Sequence, residues 1–267
     1  MIGNDRMPSP YQTLSQDRPM SEEVHAGRII QLPKHNGESF SELDTSGPQP
    51  LVGIADPSVP IFQESTDWVY LTCKRAIDIV GAIIALVVLF PFLIIVAFAI
   101  YLENPGPILF PQIRVGRNNL PFRFYKFRSM VKNAADLQAS LLASNEATGP
   151  IFKMRNDPRV TRVGRILRRY SIDELPQFFN VLKGDMSLVG PRPHLPSEVA
   201  LYTLEQHKRL SVQPGLVCMR EVTGRSELTF DRWIETDLEY IACRSMRKDL
   251  SILMRLVPAV IGARGAY

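Results

Sequence analysis

An uncharged stretch of 24 residues, IVGAIIALVVLFPFLIIVAFAIYL from Ile79 to Leu102, decides the fold of this chain. At about 1.5 Å per residue, a helix of this length reaches roughly 36 Å, which exceeds the ~30 Å hydrocarbon core of a bilayer. Pro91 at its centre removes one backbone hydrogen bond and clashes with the preceding turn, so it predicts a kink or a break there. We therefore predict a membrane-embedded, proline-broken helix over residues 67–103.

Basic residues flank this stretch on both sides. It is preceded by Lys74 and Arg75 and followed by Arg114, Arg117, Arg123, Lys126 and Arg128. Because short basic flanks mark the cytoplasmic side of a membrane, both ends are expected on that side. A re-entrant helix that turns back at Pro91 and a kinked helix that spans the membrane are therefore both left open.

Residues 1–66 differ in composition from the rest of the chain. They hold eight of the 21 prolines, with nine acidic and four basic side chains, and their apolar residues are sparse and aperiodic. Such a segment buries too little apolar surface to offset the entropy cost of ordering, so we predict a disordered, proline-rich tail. The tail lacks the apolar core of a signal peptide, and a regulatory or partner-binding arm is the functional alternative.

The formal net charge of +4 on the 267-residue chain conceals an uneven distribution. Residues 112–170 hold thirteen Lys or Arg side chains against three Asp or Glu.

The three cysteines are too few and too scattered for a disulfide framework or a zinc site, and they fit a reducing compartment. His194 and His207 have no partner at metal-ligand spacing, so we assign them no chemistry.

Local patterns predict a mostly helical α/β domain over residues 104–267. Alternating aromatic and basic residues predict a strand at 122–128, and Met186–Val189 predicts another. A helix is expected from about Thr229. The last segment carries an apolar helical face formed by Leu250, Leu253, Met254, Val257 and Ile261. Such a basic amphipathic helix either lies on the membrane surface or packs on the core.

Two adjacent carboxylates, Asp173 and Glu174, follow the most basic part of the chain. Residues 158–170 predict a basic helix that runs into them. The next helix is expected to begin by side-chain capping at Ser171 or Asp173 and to end at a glycine, Gly184. Its dipole favours anions at the N-terminus, where capping explains one carboxylate and leaves the neighbouring one unexplained.

A basic surface beside a membrane helix has three common uses, namely binding nucleic acid, anionic lipid headgroups or a small phosphorylated substrate. The pair Asp173–Glu174 favours the third use, because carboxylates repel phosphate unless a divalent cation such as Mg²⁺ bridges them. An aspartate also attacks phosphorus as a nucleophile. A nucleic-acid partner is therefore not expected.

Arg192, between Pro191 and Pro193, fits bidentate phosphate binding, and a rigid turn with an exposed arginine is the alternative.

Three strings in this sequence resemble the bacterial sugar transferases, also called monotopic phosphoglycosyl transferases. They are YKFRSM from Tyr125, RNDPRVTRVGRILRRYSIDELPQFFNVLKGDMSLVGPRP from Arg155 to Pro193, and RGAY at the C-terminus. The similarity covers about residues 70–267. Because four hydrophobic segments do not precede it, the chain is expected to be the short form of the family.

The resemblance implies an enzyme that takes a hexose-1-phosphate from a UDP-sugar, places it on undecaprenyl phosphate and releases UMP. Asp173 would form the covalent phosphosugar intermediate, and Asp173 and Glu174 are the expected Mg²⁺ ligands. The expected substrate-binding residues are Lys126, Arg128, Arg168, Arg192 and Arg225. The family holds a re-entrant helix broken at a proline, which matches Pro91. The expected location is the bacterial inner membrane, with the catalytic domain on the cytoplasmic face in contact with membrane lipid; a homo-oligomer is left open.

The sequence departs from the family pattern at several positions. Phe90 precedes the proline where Ser is usual, and Val217–Val222 replaces the usual Thr-Gly-x-Trp-Gln-Val. Arg220 and Arg244 stand where aromatic residues are usual. These changes bear on sugar specificity and on how the C-terminal part meets the membrane, and they leave the carboxylate pair intact. We therefore expect an active enzyme that initiates polysaccharide or glycoconjugate synthesis, and a non-catalytic membrane scaffold for polysaccharide assembly is the alternative.

Overall fold

A computed structural model describes residues 67–223 and 228–261, so the predicted tail (1–66) and the predicted substrate residue Arg225 lie outside the described residues. The α-helices are α1 (Trp68–Glu103), α2 (Gln138–Leu141), α3 (Arg162–Arg169), α4 (Phe178–Lys183), α5 (Pro196–Val199), α6 (Leu204–His207), α7 (Met219–Thr223), α8 (Phe230–Cys243) and α9 (Met246–Ile261). The strands are β1 (Leu109–Val115), β2 (Pro121–Phe127), β3 (Ser187–Val189) and β4 (Gly215–Val217). Short 3₁₀ helices cover Arg117–Asn119, Leu142–Ser144, Ile172–Gln177 and Lys208–Ser211. The described part is mostly helical, as predicted.

Helix α1 contains the uncharged stretch and is continuous across Pro91. The backbone therefore does not break at Pro91, because proline removes only its own N–H donor and the turns on either side stay helical. The other predicted outcome, a kink within a continuous helix, stays a prediction. Asp67 caps the N-terminus by accepting a hydrogen bond from Val69 N (2.9 Å). Val87 and Val88 are each 69% exposed, so the middle of α1 is not a buried core helix. By length and composition alone, α1 is the one helix in the described part that is apolar enough to cross a membrane.

The N-terminal third of α1 is bonded to the domain that follows it. Arg75 donates through its guanidinium to the carbonyls of Val181 (2.6 Å) and Leu182 (2.9 Å), at the last turn of α4. The Asp78 carboxylate accepts from Leu188 N (2.9 Å) and from the neighbouring serine hydroxyl in β3 (3.0 Å). These bonds fix the start of α1 against α4 and β3.

The C-terminal end of α1 is bonded to the same domain. Glu103 accepts from the backbone N–H groups of Arg162 (2.7 Å) and Val163 (3.0 Å), so it satisfies two free donors at the start of α3. An apolar cluster lies beside this contact and contains Val96, Ile100, Phe127 and Leu167. Both ends of α1 are thus held by one domain.

Two small sheets lie beneath these helices in the described part of the chain. Strands β1 and β2 form an antiparallel hairpin, and β3 pairs in parallel with β4. The strands predicted at 122–128 and 186–189 are confirmed, each within a residue. At the β3–β4 contact a Cβ on Gly215 would lie 2.0 Å from Gly190 N, so only glycine fits there. The main core joins these sheets to α4, α8 and α9 through Phe124, Val181, Met186, Ile241 and Ile252.

Helices α8 and α9 follow their predicted positions, and part of the predicted apolar face of α9, at Leu253, packs on the main core. Thr229 caps α8 as expected. In α9, however, Leu250 and Met254 are 51% and 75% exposed, whereas Ile252 is buried. The physical reason is Asp249, which is buried and accepts hydrogen bonds from two tyrosine hydroxyls and a lysine of α1 and α8. Asp249 and Ile252 therefore face the core, and the exposed Leu250 and Met254 leave the membrane-surface alternative open.

Candidate active site

The two adjacent carboxylates lie in the 3₁₀ helix Ile172–Gln177, directly after α3. The predicted capping is wrong, because Ser171 adopts a left-handed conformation (φ 56°) without a capping hydrogen bond and Asp173 lies inside the helix. The backbone closes the turn instead, with Glu174 N donating to the Ser171 carbonyl (3.2 Å). The predicted helix end at Gly184 is confirmed by its left-handed conformation (φ 89°).

Asp173 is 8% exposed, and its carboxylate makes no hydrogen bond or ion pair with any of the described residues. Burial and the negative charge of Glu174 raise its pKa to about 6, while Lys126, Arg168 and Arg192 act in the opposite direction. At neutral pH this carboxylate is ionised, because its pKa lies below 7. It therefore combines burial, negative charge and freedom from a bonded partner, which are the properties of a buried nucleophile.

Glu174 is held by Arg192 in a two-pronged ion pair. One guanidinium nitrogen lies 3.0 Å from a Glu174 oxygen and the second nitrogen bonds the other oxygen. Arg192 also contacts Glu221 (3.3 Å). Burial works against ionisation of Glu174, but the Arg192 charge outweighs it and lowers the pKa of Glu174. Burial raises the pKa of Glu221 to about 7, with a further contribution from the Glu174 charge. One arginine is thus shared by two carboxylates beside Asp173.

Two more of the predicted cations face the carboxylates. Lys126 projects from β2, and burial together with the nearby Arg114 lowers its pKa to about 8. Arg168, in the last turn of α3, donates through Nε to the Ser129 hydroxyl (2.9 Å). Burial lowers the pKa of Arg168, and the charge of Asp173 opposes that shift. The structure therefore brings Lys126, Arg168 and Arg192 around one carboxylate.

The remaining predicted residues lie elsewhere. Arg128 donates to the Asn104 carbonyl at the end of α1 and contacts neither carboxylate within the described residues. Pro91 lies in the exposed middle of α1, and Arg225 is outside the described residues.

Sequence reasoning missed two residues of this site. Arg114 in β1 donates to the Pro193 carbonyl (2.9 Å), next to Arg192, and was considered only as a membrane flank. Glu221 was named only as part of the segment Val217–Val222, which departs from the family pattern. The signal for Arg114 would have been the pairing of its strand with the strand that holds Lys126. In the structure β1 pairs with β2, and Arg114 lies opposite Phe122. Arg220, the departure next to Glu221, stacks on Trp233 with its guanidinium carbon 3.9 Å from the ring centroid.

The carboxylates fit a magnesium ion in chemistry and charge. Asp and Glu oxygens are the ligands that Mg²⁺ prefers, and the like-charge repulsion that raises the pKa of Asp173 is relieved by a cation. The described residues contain no cluster of three or more metal-ligating side chains. Mg²⁺ commonly binds through one or two carboxylates and completes its shell with water and substrate phosphates, so a two-carboxylate site is sufficient.

Comparison with known proteins agrees with this geometry. The family model described as "Bacterial sugar transferase" matches residues 69–263. The galactosyl transferase CpsE of Streptococcus agalactiae is 44% identical over 203 residues, which cover 74% of this chain and 44% of that protein. The undecaprenyl-phosphate galactose phosphotransferase of Salmonella typhimurium is 39% identical over 198 residues, 73% of this chain and 41% of that protein.

The chain thus spans less than half the length of these two relatives. A shorter relative, the exopolysaccharide production protein ExoY of Sinorhizobium fredii, is 35% identical over 198 residues, 73% of this chain and 88% of that protein. The family match covers the carboxylate pair, the cations that face it and helix α1. This chain belongs to the bacterial sugar transferase family.

Proposed function

We propose that this protein transfers a hexose-1-phosphate from a UDP-sugar to undecaprenyl phosphate, through a covalent intermediate on Asp173. The observation that carries the proposal is the buried Asp173 carboxylate, which has no bonded partner in the described part and is surrounded by three cations. Relatives named as undecaprenyl-phosphate galactose and glucose phosphotransferases support the substrate class.

The first step forms one bond and breaks one bond at phosphorus. An Asp173 oxygen attacks the phosphorus that carries the sugar, and the bond from that phosphorus to the oxygen bridging the two phosphates breaks. UMP leaves with the bridging oxygen, and an aspartyl phosphosugar remains. In the second step, a phosphate oxygen of undecaprenyl phosphate attacks the same phosphorus and releases the Asp173 carboxylate unchanged.

The cations supply the electrostatic part of the reaction. Lys126, Arg168 and Arg192 offset the charge of the phosphates, in a buried setting where such interactions are stronger than in water. The forked guanidinium of Arg192 suits a phosphate as well as a carboxylate, so substrate phosphate would compete with Glu174 and Glu221 for it. Substrate binding would thereby release Glu174 for a second role.

That second role is magnesium binding. Asp173 and Glu174 would hold the ion, which when bound screens the negative charge of the phosphates from the carboxylates. The expected observation is loss of UMP release with EDTA and recovery with added MgCl₂.

We further propose that α1 is re-entrant, because both of its ends are held by one domain. The buried residues Ala82 and Val96 belong to core clusters of that domain. The segment between them is roughly 21 Å long, shorter than the ~30 Å core of a bilayer. The basic flanks of α1 support a position of that domain on the cytoplasmic face of the inner membrane.

A cysteine-labelling experiment tests this topology. Cys73 is a free, exposed cysteine before the uncharged stretch, and Pro107→Cys adds an exposed site after it. In a Cys243→Ser background, a membrane-impermeant thiol reagent should label both sites from the same side of oriented vesicles. Labelling from opposite sides would contradict the re-entrant form.

The activity is tested with purified protein, undecaprenyl phosphate and a panel of UDP-hexoses. UMP should form with at least one sugar nucleotide, and Asp173→Asn should abolish it, because the amide is not a nucleophile toward phosphorus. Mass spectrometry without acceptor should find a phosphosugar adduct on the peptide that contains Asp173. Full activity of Asp173→Asn would contradict the nucleophile assignment. Absence of UMP with every sugar, with co-purifying assembly proteins, would favour the scaffold alternative.

A further inference from the structure

A cavity of about 370 Å³ opens beside the first turns of α1, just before the uncharged stretch. Its wall is built by α1, by the turn between β1 and β2, by the start of β3 and by the residue that follows α8. The candidate catalytic carboxylates and the cations that face them are absent from this wall. The cavity is therefore a separate place in the molecule.

The wall carries more positive than negative charge. The basic side chains are Lys74, Arg75, Arg117 and Arg244, and the acidic one is Asp78. Lys74 is neutralised by Asp249 outside the wall (2.7 Å), and Arg75 is bonded to carbonyls of α4. No carboxylate of the described residues forms an ion pair with Arg117. An anion in the cavity would meet a surplus of positive charge, and that surplus favours binding.

A second observation points to a polar ligand. Ser211 lines the cavity and is 9% exposed, and its hydroxyl has no hydrogen-bond partner among the described residues. Buried hydroxyl groups nearly always have a partner, because leaving one unpaired costs free energy. The hydroxyl oxygen is itself buried, and turning it toward the cavity would let a phosphate oxygen there accept its hydrogen bond.

The position of the cavity identifies the source of the phosphate. The side chains of Trp68 and Leu71, on the same turns of α1, are 74% and 42% exposed. Exposed aromatic and apolar groups beside a membrane helix are typical of the interface where lipid headgroups lie. We propose that this cavity binds the phosphate headgroup of an anionic phospholipid and thereby holds the start of α1 at the membrane surface. The proposal rests on the membrane embedding of α1 that belongs to the proposed function.

Arg244 is a cavity residue that departs from the family pattern. It stands where the family usually has an aromatic side chain, and it lies in the cavity wall. A guanidinium binds phosphate with two parallel hydrogen bonds, which an aromatic ring does not offer. The preference for an anionic headgroup should therefore depend on Arg244 as well as on Arg117.

Native mass spectrometry of the full chain, released from detergent with defined lipids, tests the proposal. The probes are phosphatidylglycerol, phosphatidylcholine and inorganic phosphate. The wild type should retain phosphatidylglycerol over phosphatidylcholine, and Arg117→Gln and Arg244→Gln should each reduce that preference roughly fivefold, the effect of one cation near an anionic lipid. Arg232→Gln is the matched control, because Arg232 lies in exposed ion pairs and should leave the preference unchanged.

Ser211→Ala separates binding from folding. It removes a hydroxyl that has no protein partner in the described part, so the unfolding temperature without lipid should not fall, while phosphatidylglycerol retention should. Asp173→Asn should retain lipid as the wild type does, so that loss of the transfer reaction and loss of lipid binding are distinguishable. Equal retention by the wild type, Arg117→Gln and Ser211→Ala would overturn the proposal. Binding of inorganic phosphate that displaces the lipid at equal concentration would overturn the lipid as its source.

Discussion

Two buried aspartates, Asp173 and Asp237, differ in what surrounds them. Asp237 is 0% exposed and forms an ion pair with Arg209, which also donates to the Tyr202 hydroxyl (2.6 Å). Asp173 is buried to a similar degree, yet in the described part of the chain its carboxylate has cations nearby and none bonded to it. The first arrangement neutralises a charge inside the fold, and the second leaves a charge available to a ligand.

The free energies involved explain why the two arrangements have different uses. An ionised group removed from water loses solvation, and a bonded partner of opposite charge restores part of that loss. Asp237 has such a partner, and Asp173 has none among the residues that the structure describes. A protein that keeps an unbonded carboxylate in its interior gives up stability, and sites that do so are commonly functional.

The largest expected effect is on the paired aspartate. Asp237→Asn removes the charge that balances Arg209, and an uncompensated buried guanidinium should lower the free energy of unfolding by about 3–5 kcal/mol. Urea unfolding in detergent, followed by tryptophan fluorescence, measures this change. The double variant Arg209→Met/Asp237→Leu is the control and should recover most of the loss. A loss below about 1 kcal/mol would mean that the pair is not a structural one.

A substitution at Arg192 tests the site around Asp173. Arg192→Lys keeps the positive charge but loses the fork that bonds both oxygens of Glu174. We expect kcat/KM for the UDP-sugar to fall about 100-fold, equivalent to about 2.7 kcal/mol in the transition state. Arg232→Lys, at an exposed ion pair, is the matched control and should change kcat/KM less than twofold. A similar small change for Arg192→Lys would contradict a phosphate-binding role.

The same comparison indicates how far sequence reasoning reaches in this chain. Helix α1, strand β2 and the carboxylate pair were predicted because each depends on neighbouring residues, through an uncharged run, an alternation or an adjacent pair. The partners of the pair were not all predicted, since Arg114 and Glu221 reach the site from segments far apart in sequence. Which carboxylate has a bonded partner depends on the packed fold: Asp237 has one, and over residues 67–223 and 228–261 Asp173 has none.

Long-range contacts also orient elements whose periodicity leaves alternatives open. The apolar periodicity of α9 allows core packing or a position on the membrane surface, and hydrogen bonds to the buried Asp249 from Tyr70 (3.0 Å) and Tyr240 (2.8 Å) orient this helix. Tyr70 lies 179 positions away from Asp249. The predicted cap at Ser171 is wrong for a local reason, because the left-handed conformation of this residue lets the backbone close a 3₁₀ turn instead.

A pH profile should report the unbonded aspartate directly. Asp173 must be ionised to attack phosphorus, and its pKa is about 6, so kcat/KM should fall tenfold per pH unit below that value. Lys126 must keep its proton to bind phosphate, and its pKa of about 8 predicts a second fall above that pH. Lys126→Arg should move the alkaline limb to higher pH and leave the acid limb in place. A profile that stays flat from pH 5 to 9 would contradict both roles.

The smallest expected effect is that of Asp173→Asn on stability. This substitution should raise the free energy of unfolding, whereas Asp237→Asn should lower it. The pKa of Asp173 is raised in the folded state, so the folded protein binds this proton more tightly than the unfolded chain does. The ionised form therefore destabilises the fold at pH above about 6, and this cost disappears as the pH falls below the usual aspartate pKa of about 4.

Asp173→Asn should raise the free energy of unfolding by about 1–2 kcal/mol at pH 8, with a smaller gain at pH 5. Urea unfolding at the two pH values measures this, with Asp237→Asn as the matched control that destabilises at both. A loss of stability in Asp173→Asn at pH 8 would mean that this carboxylate also has a structural partner, and the distinction between the two aspartates would then fail.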